Sequence, residues 1–403
     1  MCWDDYWYIA IIALGLQILY ISVAYRNYRF VCRGSQAKTH GYCPLTLLTV
    51  PCKGIDHDFT KNISAFFHIE HDQHILHFVV DSESDPAFPE LNRLVNRLSQ
   101  TSRAIAIRVL VAGKANRCSQ KIHNLLYSID HCPAETEVYA FADSDVCPPP
   151  QWLTKLVFPL KESKRGATTG YRWFIPAEQD LATCVLSAIN AKVTQHLGNT
   201  HFNQAWGGSM AIRADLFKAT GLDRIWQTAL SDDLCLSLAV KKARKKVAFV
   251  PACLVPSYHK MTWLQLFEFL RRQFLITRIM TPGTWLFGLF SVLFSILGFW
   301  FGTVLAIIAI ATNQPGQGLF IAVPIFFLTG QGLRAVLRQN MIMKLLPEDA
   351  PRMKKAMFVD IFGTSLWSWV LLVGILASAI GRTITWRGTT YKFISPTEIQ
   401  ILD

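Results

Sequence analysis

Apolar positions in this chain run unbroken near its two ends and alternate with polar ones in the middle, and the two regimes predict different structures. Tyr8–Tyr25 (YIAIIALGLQILYISVAY) is just long enough to cross a bilayer, and Trp285–Ala311, Gly318–Leu337 and Phe358–Ile380 are three further candidates near the C-terminus. Between them, from about Gly41 to Pro256, short β-rich runs (LTLLTV, ILHFVV, AIAIRVLV, EVYAFA) alternate with helix-like runs (PELNRLVNRLSQ, SQKIHNLLYSI). That succession predicts an α/β domain, a mostly parallel sheet with helices on both faces, flanked by N- and C-terminal transmembrane helices. WLQLFEFLRRQFLITRIM is amphipathic, with Leu266, Phe267, Leu270 and Phe274 set against Glu268, Arg271, Arg272 and Arg278, and is predicted to lie along a membrane surface. The expected division is an anchor and basic linker over 1–40, the α/β domain over 41–260, the interfacial helix over 261–283, and a membrane region with a tail over 284–403.

Composition strengthens the membrane reading. Of the 403 residues 51% are hydrophobic and 17% charged, richer in apolar residues than a soluble enzyme needs. The formal net charge of +12 points to anionic lipid headgroups or phosphorylated ligands. Nucleic acid is set aside, since there is no zinc-finger spacing and no RNP-like string. Asp4 and Asp5 precede the first apolar run and Arg26, Arg29, Arg33 and Lys38 follow it, so the N-terminus is expected outside and the α/β domain in the cytoplasm. Arg338, Lys344, Arg352, Lys354 and Lys355 put the last inter-helix loop on the cytoplasmic side as well. Strict alternation then puts the tail TITWRGTTYKF outside although it too is basic; one re-entrant segment among the three C-terminal candidates removes the conflict.

Candidate chemistry sits at the predicted strand ends, where ligands bind in open α/β sheets. VPCKGID offers Lys53 and Asp56, VVDSESDPA offers Asp81, and FADSD offers Asp143 and Asp145. In an extended strand two carboxylates at i and i+2 share a face and can hold a divalent cation, although Asp and Pro are also ordinary turn residues. Lys114, Arg117 and Lys121 follow a strand and open a helix, where backbone N–H groups favour anions. Acid and lysine together describe a site for a metal and a diphosphate. No Gly-rich dinucleotide fingerprint and no Walker lysine loop is present. In SDDLCLSL, one of Asp232 and Asp233 is expected to stabilise a helix N-terminus and the other to serve as a general base. His68, His71, His74 and His77 are read as surface histidines rather than a zinc site, the ten cysteines as free thiols, and the Asn62 sequon as unused.

In this order, Lys53-Gly54-x-Asp56, Asp85-Pro86-Ala87, GKANRCSQKIHNL, Asp143-Ser-Asp145, GGSMAIR and SDD, the motifs resemble the inverting GT-A glycosyltransferases, most closely the ceramide glucosyltransferase family, over roughly Leu45 to Arg278. The resemblance implies a GT-A fold and a UDP-sugar donor. It makes Asp81, with Glu83 as rival, the aspartate that helps hold the uridine part, and Asp143 and Asp145 the D-x-D pair, with Asp145 the principal ligand of Mg2+ or Mn2+. It makes Asp233 the base that deprotonates the acceptor, with Lys53, Lys114, Lys121 and Arg272 as further donor-binding groups. The chain departs from the family at the last motif. Where Gln/Arg-x-x-Arg-Trp is expected, Gln273 and Phe274 replace Arg-Trp in one register, and Arg271 and Arg272 supply the cation in another.

The expected function is therefore transfer of a sugar, glucose first, from a UDP-sugar to a lipid hydroxyl at the bilayer surface, with ceramide the first-choice acceptor and diacylglycerol or a hopanoid as alternatives. Two rivals stand beside it: a processive polysaccharide synthase, and a non-catalytic membrane protein that keeps a sugar-nucleotide fold for binding.

Overall fold

The computed structural model describes residues 3–35, 39, 41–56 and 58–402, so Lys38 lies outside the described residues. The chain forms two compact units. One, the sheet unit, contains Arg33–Trp173, Asn199–Ser257 and Arg382–Asp403; the other, the helical unit, contains Met1–Cys32, Phe174–Gly198 and Tyr258–Gly381.

The sheet unit carries strands β1 (Thr46–Pro51), β2 (His74–Val80), β3 (Ala106–Val111), β4 (Val138–Ala142), β5 (Arg165–Pro176), β6 (Ser209–Arg213) and β7 (Lys246–His259) in the order β3-β2-β1-β4-β6-β5-β7. The last few residues of β5 and β7 run on into the helical unit. Strands β3, β2, β1 and β4 are mutually parallel, and β6 runs antiparallel to β4 and β5. The expected α/β class and mostly parallel sheet are thus present. β1 and β2 are almost wholly buried, which explains why they read as continuous apolar runs. Period-two alternation sorts their side chains. Leu48, Val50, Leu76, Phe78 and Val80 pack with Phe59, Phe66, Leu91 and Trp152 on one face. On the other, Thr49 and His77 both bond the Ser128 hydroxyl, at 2.7 and 3.0 Å, and the Asn124 amide donates to the Val79 carbonyl at 3.3 Å. Helices therefore cover both faces.

Three smaller expectations are corrected or sharpened. Of the four histidines only His68 is exposed; His71, His74 and His77 are buried in and beside β2, and no metal-holding group of three occurs among the described residues. The nine described cysteines are free thiols, as expected. The basic tail does not stand apart. Strands β8 (Thr383–Trp386), β9 (Thr389–Ser395) and β10 (Glu398–Ile401) form an antiparallel sheet that belongs to the sheet unit. The Ile399 amide donates to the Thr228 carbonyl at 3.0 Å, and the Thr228 hydroxyl to the Thr397 carbonyl at 2.8 Å.

The helical unit holds four helices long and apolar enough to cross a membrane, Tyr6–Gly34, Pro282–Ala311, Gln317–Leu345 and Lys354–Ala377, which marks an integral membrane protein. The Tyr6 ring stacks on Phe320, and Phe327 meets Phe294, so aromatic contacts tie the first three of these together. Arg338 and Asp360 form a bidentate pair, Nε to Oδ2 at 2.6 Å, inside this unit at 3% and 0% exposure, with Gln339 donating to the same carboxylate. A buried pair needs this completeness to offset its desolvation. The predicted surface helix is Trp263–Met280, closed by a capping box of Thr262 and Gln265 that meets its first backbone donors. Helix Leu181–Thr194, which belongs to this unit rather than to the α/β domain, begins where the Asp180 carboxylate accepts from the Thr183 amide at 2.9 Å. Leu266, Leu270, Val185 and Ile189 share one apolar cluster with Trp367, Leu371 and Ile375.

Candidate active site

Because β1, β2 and β4 are parallel neighbours, their carboxyl ends open at one edge of the sheet, and each delivers a charged residue there. β1 is followed by Lys53 and β2 by Asp81, with Lys53 Nζ 3.8 Å from Asp81 Oδ2. Glu83 is exposed, so Asp81 is the strand-end acid of the two. The Asp-Pro-Ala aspartate is spent on the backbone instead. Asp85 Oδ1 accepts from the Gly54 and Ala87 amides at 2.9 and 2.8 Å, tying the β1 loop to the start of the Ala87–Leu98 helix. Gly54 holds φ +67°, a left-handed turn that glycine makes without cost.

β4 ends at Ala142, before the D-x-D stretch. Asp143–Val146 is a turn closed by the Val146 amide on the Asp143 carbonyl at 3.2 Å, so turn geometry rather than strand alternation brings the two carboxylates together. Lys121, in the first turn of the Gln120–Asp130 helix, reaches both Asp143 Oδ1 at 2.7 Å and Asp232 Oδ2 at 3.0 Å. Burial works against the Asp143 carboxylate, but Lys121, with Arg172 and Arg387 adding to it, holds the group below the usual range. The Lys121 ammonium is likewise kept charged, as Asp143 and Asp232 overcome its burial. Asp145 goes the other way: burial and the Asp143 charge push it up, and its Oδ1 is buried with no hydrogen-bond partner. An unpaired buried carboxylate oxygen is costly unless a ligand completes it, and two strand-end carboxylates plus phosphate oxygens suit Mg2+ or Mn2+.

The second acid pair opens helix Asp232–Lys242, whose N-cap is Ser231, its hydroxyl accepting from the Leu234 amide at 3.2 Å. Asp232 is 4% exposed and turned to Lys121; burial first, then its acidic neighbours Asp233 and Asp143, push it up to about 6 against the pull of Lys121. Asp233 is half-buried. Its Oδ2 accepts from the Gly207 amide at 3.1 Å, and its Oδ1 from the Leu234 amide at 2.7 Å and the Ser231 hydroxyl. The glycine pair before β6 is explained by this crowding: a Cβ on Gly207 would lie 2.5 Å from Asp232 Oδ2 and 2.6 Å from Lys121 Nζ, and one on Gly208 2.2 Å from the Trp206 ring. The Trp206 amide donates to the Thr169 hydroxyl at 3.0 Å, and Arg172 lies 5.5 Å from the Trp206 ring centroid.

Residues 6–399 match the model of glycosyl transferase family 21. The chain belongs to that family. Among solved structures, a mannosyltransferase from Pyrobaculum calidifontis in complex with GDP-Man and Mn2+ is similar at 13% identity, over 92% of this chain and 97% of that one, with a TM-score of 0.43. This family 21 transferase thus moves sugars, and the motif resemblance holds at the level of the family.

Of the expected site residues, the structure gathers Lys121, Asp143 and Asp145 with the acid pair, and sets Lys53 against Asp81. Lys114 is exposed, and no ion pair among the described residues joins it to the cluster. Arg272 belongs to the helical unit, where its guanidinium lies 5.7 Å from the Phe269 ring centroid. Sequence reasoning missed the Lys121 bridge to Asp232, Arg172 over Trp206, and a tail residue, Arg387, whose Nη1 donates to the Lys53 carbonyl at 3.0 Å. The bridge and the tail contact join residues 111 and 334 positions apart, and no local pattern signals them.

Proposed function

We propose that this chain transfers a sugar, glucose first, from a UDP-sugar to the hydroxyl of a membrane lipid, with ceramide the first acceptor and diacylglycerol or a hopanoid the next. The observation that carries the reading is the division of labour among four carboxylates. Asp143 is held ionised by Lys121, Asp145 keeps an unpartnered oxygen for a cation, Asp232 is buried against the same lysine, and Asp233 alone of the second pair is open enough to meet an acceptor. Membrane helices at both ends supply the reason for a lipid acceptor, which has to be met where it resides.

A divalent ion held by Asp143 and Asp145, when bound, stabilises negative charge on the departing diphosphate. The chain's own residues do the rest. Asp233, oriented by the Gly207 and Leu234 amides, takes the acceptor O–H proton, and the freed oxygen forms a bond to the anomeric carbon as the bond from that carbon to the diphosphate oxygen breaks. The electron pair leaves with UDP, and a single in-line displacement inverts the anomeric centre. Lys121 keeps Asp143 ionised throughout.

The test is radiolabelled UDP-glucose with Mg2+ or Mn2+ and separate pools of ceramide and diacylglycerol. Label should enter one lipid, and Asp233→Asn should lower turnover about 100-fold or more while donor binding survives. Label in long polymer supports the synthase reading; binding without turnover on any acceptor supports the binding-only reading.

We also infer that the sheet unit is cytoplasmic, because Asp4 and Asp5 precede the first apolar run and Arg26, Arg29 and Arg33 follow it. In sealed vesicles the exposed native Cys43 should react with impermeant maleimide only from the cytoplasmic side; labelling from the other side refutes this orientation.

A further inference from the structure

The β8–β9 hairpin turns through two residues only, since Trp386 pairs with Thr389, and the turn residues Arg387 and Gly388 hold φ +48° and +84°. Positive φ at both central positions is the type I′ arrangement, for which Asn-Gly is the favoured pair and a long side chain at the first position is strained by roughly 1 kcal/mol or more. An arginine at this place is kept against its conformational preference.

Its surroundings suggest why. The tail sheet touches both walls of the site: β10 bonds Thr228, three residues before Ser231 and the acid pair, and Arg387 reaches the loop after β1. Its Nη1 donates to the Lys53 carbonyl, while Nη2 stands 3.7 Å from Asp56 Oδ2, beyond hydrogen-bond distance, with the side chain 44% exposed. Its charge is felt at both Asp143 and Asp145. Of the nearby lysines, Lys121 is engaged with Asp143 and Asp232 at 2.7 and 3.0 Å, and Lys53 stands 3.8 Å from Asp81, so it too keeps donors for a phosphate. A guanidinium carries five N–H donors in a fork that fits phosphate oxygens, so most of those on Arg387 remain to be used.

We propose that Arg387 is a donor-binding residue of this transferase: delivered by the C-terminal hairpin to the rim of the strand-end site, it pairs with the diphosphate of the nucleotide sugar. This rests on the sugar-nucleotide reading above. The tail is then a part of the donor pocket.

The experiment compares wild type, Arg387→Asn and Arg387→Lys for UDP and UMP binding with Mn2+, for donor KM, and for melting temperature. Asn suits the left-handed turn, so Arg387→Asn is expected to melt with or above wild type while UDP affinity falls roughly 10- to 100-fold. UMP affinity should fall much less, and Arg387→Lys should recover part of the loss. Equal weakening of UDP and UMP together with a lower melting temperature would make Arg387 a fastener of the hairpin and overturn the proposal, as would unchanged UDP binding. Wild type that binds neither UDP nor GDP overturns the nucleotide-sugar reading itself, and this inference with it.

Discussion

Lys121 is the residue on which the site's charge balance turns, and Lys121→Met measures it. The ammonium is 13% exposed and lies 2.7 Å from Asp143 and 3.0 Å from Asp232, whose side chains are 28% and 6% exposed. Methionine keeps the length and apolar stem but leaves two facing carboxylates without their cation. Removing one partner of a buried pair costs about 3–5 kcal/mol, because the charge left behind stays desolvated. For a unit of this size each kcal/mol moves the melting temperature by about 2–4 °C, so the expected loss is roughly 6–20 °C. Thermal unfolding of the protein in lipid nanodiscs, followed by intrinsic fluorescence, reads the shift. The decisive arm is Lys121→Met combined with Asp232→Asn, which removes the orphaned charge and should regain at least half of the loss; the pair is close enough to couple strongly. A single mutant within about 2 °C of wild type, or a double mutant no more stable than the single, would falsify the account of Lys121 as the cation between a buried and a half-buried acid.

Other consequences can be checked on the same material. Gly207→Ala should drive a methyl between Asp232 and Lys121 and lower stability by about 1–3 kcal/mol. Gly54→Ala, with open space around its Cβ but φ +67°, should cost only about 1 kcal/mol, and the reverse ranking in a denaturant series argues against the crowding. His74 and His77 supply a pH dependence: burial in β2 pushes both imidazoles down to about 4, whereas the unfolded chain titrates near 6.5. Between those values the unfolded state binds more protons, so their contribution is complete above about pH 6.5 and is lost as pH falls through about 4. His77→Gln should flatten the drop in melting temperature between pH 7 and pH 5, and an unaltered slope counts against this assignment. Asp145→Asn should abolish the enhancement of UDP binding by Mn2+ in calorimetry, while enhancement at the wild-type level excludes Asp145 as a ligand.

What the sequence determined by itself was whatever is written locally. Continuous apolar runs in LTLLTV and ILHFVV announced buried parallel strands and long apolar stretches announced membrane helices, because burial and helix length act over a few residues; the family entered separately, as a resemblance of six short motifs in their order. The carboxylates were legible for the same reason, as each stands directly after a strand or before a helix. Tertiary structure decided their roles. Asp232 and Asp233 are adjacent and chemically identical in the chain, and only packing buries one against Lys121 and leaves the other half-buried. The strand alternation invoked for Asp143 and Asp145 gave way to a turn whose geometry depends on the neighbours packed around it. The tail posed a conflict when read by charge and counting alone; its strands found partners at Thr228 and Lys53, far away in sequence. Contacts of that kind arise from chain closure over hundreds of residues, whose cost is met by the assembled sheet and not by any local pattern, so only the folded chain could put Arg387 beside the site.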